Sequence, residues 1–181
     1  MALTDKTSGK PVLTGLFRDR DSAERAYQSI TDRGYGRDDV NVVMSEDTRK
    51  RHFSTTTADG RQTELGNKAA EGAGIGGAIG GSLGAIAAAI AAVGTTIALP
   101  GLGLVIAGPL AAAIAGAGAG AATGGIVGAL IGWGIPEERV KEYDQGIREG
   151  GILMAVRPRS DEDATFLEDS WKANRGEHVY R

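Results

Sequence analysis

The sequence GAGAGAATGGIVGALIG, residues 116–132, carries a row of glycines at every fourth position: Gly116, Gly120, Gly124, Gly128 and Gly132. In an α-helix, residues four apart lie almost above one another, so these glycines form a flat strip that another backbone can approach closely. Each glycine also weakens the helix by roughly 0.5–1 kcal/mol relative to alanine. The pattern therefore predicts a helical packing surface that needs a partner or an apolar medium.

A second row with the same spacing opens the apolar part of the chain: Gly72, Gly76, Gly80 and Gly84, continued by Ala88. From residue 72 to residue 136 there is no charged residue and no histidine, so all 20 Lys and Arg and all 23 Asp and Glu lie in the flanking segments. A monomer normally exposes an apolar patch of only a few hundred Å². We therefore expect this region to contact other copies of the chain, a lipid membrane, or both.

The two rows predict a glycine-zipper helical hairpin within residues 69–134. Its helices would cover 69–97 and 106–133, with turns at the Pro and Gly residues of 100–103 and 108–109. Each helix would be about 40 Å long, which is enough to cross a hydrocarbon core of about 30 Å. Length alone thus permits a membrane-spanning hairpin.

Residues 11–45 predict a β-α-β unit. Apolar and β-branched residues favour strands at 11–17 and 40–44. Asp19 or Asp21 is placed to cap the helix between these strands. The expected inward positions of this helix are Ala23, Ala26, Tyr27 and Ile30.

Residues 46–68 are polar and predict an exposed connection with a short helix near its end. Residues 135–157 predict an α-β unit in which Pro136 occupies the first turn of the helix. Residues 158–181 predict a C-terminal amphipathic helix and tail, with Ser160 as the cap. The expected buried positions of the two helices are Val140, Tyr143, Ile147, Ala164, Leu167 and Trp171.

Without the apolar insertion, the order of elements is β-α-β followed by α-β-α. This order predicts an α+β fold of the ferredoxin-like type. We expect both long connections to pack on one side of a small sheet.

Short motifs follow one another in order along residues 11–157. They are VLTGLF at 12–17, DRDSAERA at 19–26, GY at 34–35, DDV at 38–40, PGLG at 100–103, AGPL at 107–110, GIPEE at 134–138 and GGIL at 150–153. This series resembles the bacterial YflT-like general stress proteins, including the glycine-rich continuation of some members. The resemblance implies a stress-induced protein and supplies no catalytic or ligand residue.

The sequence motifs that would indicate catalysis, metal binding or cofactor binding are weak. The chain has no cysteine, and its two histidines, His52 and His178, have no metal-ligand spacing and are expected to be exposed. The sequence GAGIGG at 72–77 matches the dinucleotide pattern G-x-G-x-x-G, but it lacks the preceding buried strand and the later acidic residue. We predict no catalytic residue, cofactor or metal, and the net charge of −3 predicts no binding to nucleic acid.

These observations predict a non-enzymatic stress-response structural protein that self-associates and associates with the membrane through the glycine-zipper hairpin. Because residues 1–6 lack an apolar signal sequence, we expect it on the cytoplasmic side of the cell membrane, or in the cytoplasm if the hairpin forms a soluble oligomer. The alternative is a ligand-sensing regulatory module, in which the ferredoxin-like sheet signals through a soluble oligomeric helical bundle.

Overall fold

A computed structural model of the chain describes residues 11–53, 97–99, 103–111, 127–128, 130–131 and 134–181. These residues form a mixed helix and sheet structure whose strands and main helices have the following bounds: β1 Leu13–Phe17, α1 Arg20–Asp32, β2 Val40–Ser45, α2 Glu46–Phe53, β3 Ile97–Leu99, β4 Leu104–Ala107, α3 Glu137–Arg148, β5 Ile152–Val156, α4 Asp161–Ala173 and β6 Glu177–Tyr180. The strands form one sheet in the order β3-β4-β2-β5-β1-β6, and all neighbouring strands are antiparallel. The α+β class is therefore confirmed.

The central strands are buried on both faces. In β1 and β5 every residue is buried, which explains why these segments are nearly continuous apolar runs instead of alternating patterns. One core lies between the sheet and helices α1 and α4, and it includes Phe17, Ile30 and Trp171. The other core lies between the sheet and α3, and it includes Leu16 and Ile147. The sheet is thus the middle layer of three.

This arrangement corrects the predicted layout. The prediction places both long connections on one side of the sheet, but α1 and α3 pack on opposite faces. The ferredoxin-like layout is therefore not confirmed. The physical reason is that apolar side chains point both ways from the central strands, so that each face needs its own helical cover.

The predicted helix starts are confirmed. Asp19 caps α1 by accepting a hydrogen bond from the backbone N–H of Ser22 at 2.8 Å. Ser160 caps α4 by accepting from Asp163 N at 3.1 Å, and Pro136 immediately precedes the first residue of α3. All the inward positions expected in these three helices are buried. These features were predictable because a cap and an apolar helical face depend on residues close together in the chain.

The central part of the predicted helical hairpin is wrong. Ile97–Leu99 and Leu104–Ala107 are strands that pair with each other, and the second of them also pairs with β2. The segment 100–103 therefore lies between two strands in the chain instead of between two helices, and Gly103 lies against the start of α2, where Glu46 N donates to Gly103 O at 2.6 Å. Apolar β-branched residues in β4 bury themselves against β2, and this pairing prevails over helix continuation.

Two further elements differ from the prediction. The polar connection begins with a helix, α2, that the sequence did not predict; Ser45 Oγ accepts from Thr48 N at 3.1 Å and Phe53 is buried. The short helix predicted near the end of the connection lies outside the described residues. The expected C-terminal tail contains a strand, β6, which pairs with β1. Within the described part of the chain, no helix has the length and apolar character required to cross a membrane.

Candidate association surface

The chain that follows β4 is attached to the sheet by Asn41. This side chain is buried, and its Oδ1 accepts a hydrogen bond from Leu110 N at 2.6 Å. Pro109 has no N–H, so Leu110 supplies the first donor of the helical turn that starts at residue 109. Gly108 has φ +104°, and an added Cβ would lie 2.2 Å from the carbonyl oxygen of Val40. The Gly-Pro pair therefore begins a helix directly against β2.

The chain returns to the same core at residues 127–131, where the described positions have helical backbone. Leu130 is fully buried and Val127 packs against the same cluster as α3. The segment ends at Gly134, whose φ of +96° suits a helix terminus, and Ile135 N donates to Leu130 O at 3.0 Å. The described residues of 109–111 and of 127–135 thus form two anchors that pack into the core on one face of the sheet.

Gly128 and Ile131 lie on the other side of this segment, which no described residue covers. Gly128 is exposed, and a Cβ added there meets no atom within 4 Å. Ile131, three residues later and hence on the same side, is 42% exposed. At the position where the structure describes it, the glycine row therefore faces away from the sheet. Gly128 leaves a recess in the helix surface, and the apolar side chain of Ile131 lies beside it.

Gly128 is the predicted packing residue that the structure places. The other predicted members of the two rows lie outside the described residues: Gly72, Gly76, Gly80, Gly84, Ala88, Gly116, Gly120, Gly124 and Gly132. The G-x-G-x-x-G match at 72–77 lies outside them as well.

The surface around Gly128 has no charge of its own. Residues 103–111 and the described positions of 127–131 contain no ionisable side chain, and charge resumes only at Glu137 in α3. Such a surface offers van der Waals contact and apolar burial and no group for acid, base or nucleophilic chemistry.

The two histidines occupy different environments. His52 is exposed at the end of α2, as expected, and its carbonyl oxygen accepts from Arg20 at 2.7 Å. His178 is only half-exposed, and its Nδ1 lies 3.0 Å from Oε2 of Glu142. In the part of the chain that the structure describes, no three His, Cys, Asp or Glu side chains come together as a metal site.

A buried polar cluster at β6 was missed by the sequence analysis. The hydroxyl of Tyr143, on α3, donates to the carbonyl oxygen of His178 at 2.7 Å. Because its one proton is used there, it accepts from the hydroxyl of Thr14 at 2.7 Å. Burial raises the pKa of Tyr143 to about 12. The cluster joins α3, β1 and β6, and its members are too far apart in sequence to be recognised as a group.

No protein-family model, curated protein or solved structure matches this chain.

Proposed function

We propose that this chain is a non-enzymatic structural protein that self-associates through its glycine row. The observation that carries the proposal is the environment of Gly128, which is helical and exposed, and where no described residue lies within 4 Å of an added Cβ. The sheet and its helices act as a scaffold that holds Gly128 outward. The resemblance to stress proteins supplies the proposed setting, in which association is useful under stress.

A second copy fits this surface because the row is complementary to itself. Glycine lets two helix backbones approach closely, and the van der Waals attraction along a strip of such residues offsets the helix-weakening effect of each glycine. Within the described chain nothing supplies that compensation at Gly128. Ile131 on the same side adds an apolar side chain that association would remove from water.

A lipid membrane is the second candidate for the same face, favoured by the exposed Ile131 and by the uncharged sequence around it. The contact would be made by the outward face of the helix. A membrane-crossing hairpin turned at residues 100–103 would place that turn on the far side of the bilayer from the sheet. Its two flanks, β3 and β4, are instead part of the sheet.

A single cysteine at Gly128 tests the proposal, because the natural chain has no cysteine. If the rows of two copies face each other, mild oxidation of Gly128→Cys should give a covalent dimer on a non-reducing gel. Asp169→Cys, at an exposed position of α4 on the opposite face of the sheet, is the matched control and should remain monomeric. Equal cross-linking of both variants would contradict an ordered contact through the row.

Vesicle flotation distinguishes a second copy of the chain from a lipid membrane as the partner of this face. The unmodified protein and Gly128→Cys are mixed with vesicles of mixed anionic and zwitterionic phospholipid and centrifuged through a density gradient. Self-association predicts cross-linking at Gly128→Cys whether or not vesicles are present. Flotation with the vesicles combined with protection of the cysteine from cross-linking would assign the face to the membrane.

A further inference from the structure

The C-terminal strand β6 is a short edge strand with irregular pairing. It pairs with β1, where Thr14 is opposite Tyr180 and Leu16 is opposite Glu177. Two steps along β1 therefore correspond to three along β6, which is the signature of a β-bulge. A ladder this short contributes few backbone hydrogen bonds, so the attachment of β6 depends strongly on side chains.

Those side chains reach β6 from several elements. Arg18, after β1, pairs with Glu177 at 2.8 Å, and Tyr143 donates to the carbonyl oxygen of His178. Arg139 lies over the ring of Tyr180, 4.4 Å from its centroid. Every one of these groups belongs to the body of the molecule. An identical body in a second copy presents the same edge and the same partners.

The turn that leads into β6 is strained at a non-glycine residue. Arg175 has φ +63°, in the left-handed region, and it follows the end of α4 at a position where glycine is usual. Gly176 N donates to Trp171 O at 2.8 Å and closes the turn tightly. A left-handed conformation at a residue with a side chain is disfavoured by roughly tenfold relative to an ordinary backbone conformation. An extended connection between α4 and β6 would release this strain.

His178 is the other non-glycine residue with positive φ among the described positions, at +48°. Its conformation belongs to the bulge of β6 itself and is held by contacts with Tyr143 and Glu142. Moving β6 onto the edge of another copy would keep that bulge and its contacts. The two strained residues therefore differ. Strain at Arg175 destabilises only the closed chain, in which β6 pairs with its own β1. Strain at His178 is present whether β6 pairs with its own chain or with another copy.

We propose that β6 exchanges between two copies, so that the β1 edge of one chain receives Glu177–Tyr180 of the other. In the exchanged dimer the partners of Glu177, His178 and Tyr180 are the same residues of the other chain, and the strain at Arg175 is released. The connection Asn174–Gly176 spans roughly 10 Å when extended, and short strained connections of this kind favour exchange over closure. The exchange uses a different surface from the glycine row and does not depend on it.

Two single-cysteine chains test the exchange. Arg18→Cys carries the thiol beside β1, and Glu177→Cys carries it on β6; both positions are partly exposed. The two full-length chains are refolded together and treated with a short bismaleimide. Exchange predicts a covalent heterodimer that neither chain forms alone. A doubly substituted chain that yields only an internal cross-link at every protein concentration, together with no heterodimer in the mixture, would overturn the proposal.

Two glycine substitutions, each combined with the cysteine variants, test the role of the turn. Arg175→Gly removes the strain from the closed chain and should lower the cross-linked heterodimer roughly tenfold. His178→Gly is the matched control, because it relaxes a residue that is the same in both arrangements, and it should leave the heterodimer fraction within about twofold. An equal effect of the two substitutions would contradict the assignment of the hinge to Arg175.

Discussion

Gly146 and Gly128 both lie in helical backbone, but their surroundings are opposite. A Cβ added at Gly146 in α3 would lie 2.2 Å from Cδ2 of Leu16, a fully buried side chain, whereas a Cβ at Gly128 meets nothing within 4 Å. Glycine weakens a helix in either place. At Gly146 the compensation is visible, because α3 packs closely on the sheet. At Gly128 no described residue provides such packing, so we expect a second copy of the chain to provide it.

The largest effect is expected at the inward glycine. Gly146→Val forces a branched side chain against Leu16 and should lower the free energy of unfolding by about 3 kcal/mol, measured by chemical denaturation. In a Leu16→Ala background the same substitution should cost less than half as much, because the shortened side chain leaves room. If Gly146→Val lowers the free energy of unfolding by less than about 0.5 kcal/mol in the natural background, the two glycines do not differ in the way proposed.

Two buried tyrosines predict that the folded protein loses stability at high pH. Burial raises the pKa of Tyr27 and of Tyr143 to about 12 from an ordinary value of 10. The folded protein therefore holds these protons more tightly than the unfolded chain does, so stability is complete below pH 10 and falls as the pH rises towards 12. Each tyrosine should contribute a loss of about 2–3 kcal/mol.

Denaturation at pH 9, 10 and 11 measures this slope. Tyr143→Phe should flatten it by about half, although the substitution also removes the hydrogen bonds to Thr14 and His178 at every pH. Residues 103–111 and the described positions of 127–131, by contrast, contain no ionisable side chain and so add nothing to this slope. A slope that is unchanged in Tyr143→Phe would show that this phenol is not protected by the core.

A smaller effect is expected where residues 109–111 are attached to the sheet. Asn41→Ala removes the acceptor of Leu110 N and leaves a buried donor without its partner, which should cost about 1–2 kcal/mol. Ser29→Ala is the control, because this buried hydroxyl bonds only to Ala26 O in its own helix, and it should cost less than about 0.5 kcal/mol. Thermal unfolding of the two variants measures the difference, and equal costs would show that Asn41 is not an anchor.

Local signals explain what the sequence could predict. Asp19 and Ser160 are capping residues three positions before the N–H groups that they accept from, and Val140, Tyr143 and Ile147 follow helical spacing. Each of these features depends on residues within one or two turns. The same applies to the alternation of strands and helices, and thus to the α+β class.

Nonlocal pairing explains what the sequence could not predict. Leu104–Ala107 is a short apolar run flanked by Gly103 and Gly108, so its local pattern fits a buried helix as well as a strand. Its pairing with β2, some sixty residues earlier, decides the outcome. Likewise Glu177–Tyr180 is short and partly polar, and it becomes a strand because β1 offers an edge. The direction in which Gly128 faces depends on the β3–β4 hairpin and on the two anchors that follow it. The spacing of the glycines alone does not predict this direction.

The most direct test of the outward glycine row is Gly128→Leu. Leucine improves helix propensity by about 0.8 kcal/mol, and the described chain leaves it space, so the fold itself should be unharmed or slightly stabilised in thermal melting of dilute protein. If the row is a contact between copies, the same side chain separates the two backbones, and sedimentation velocity should show assemblies converted to monomer. Unchanged assembly combined with a raised melting temperature would contradict the account, because Gly128 would then face only solvent.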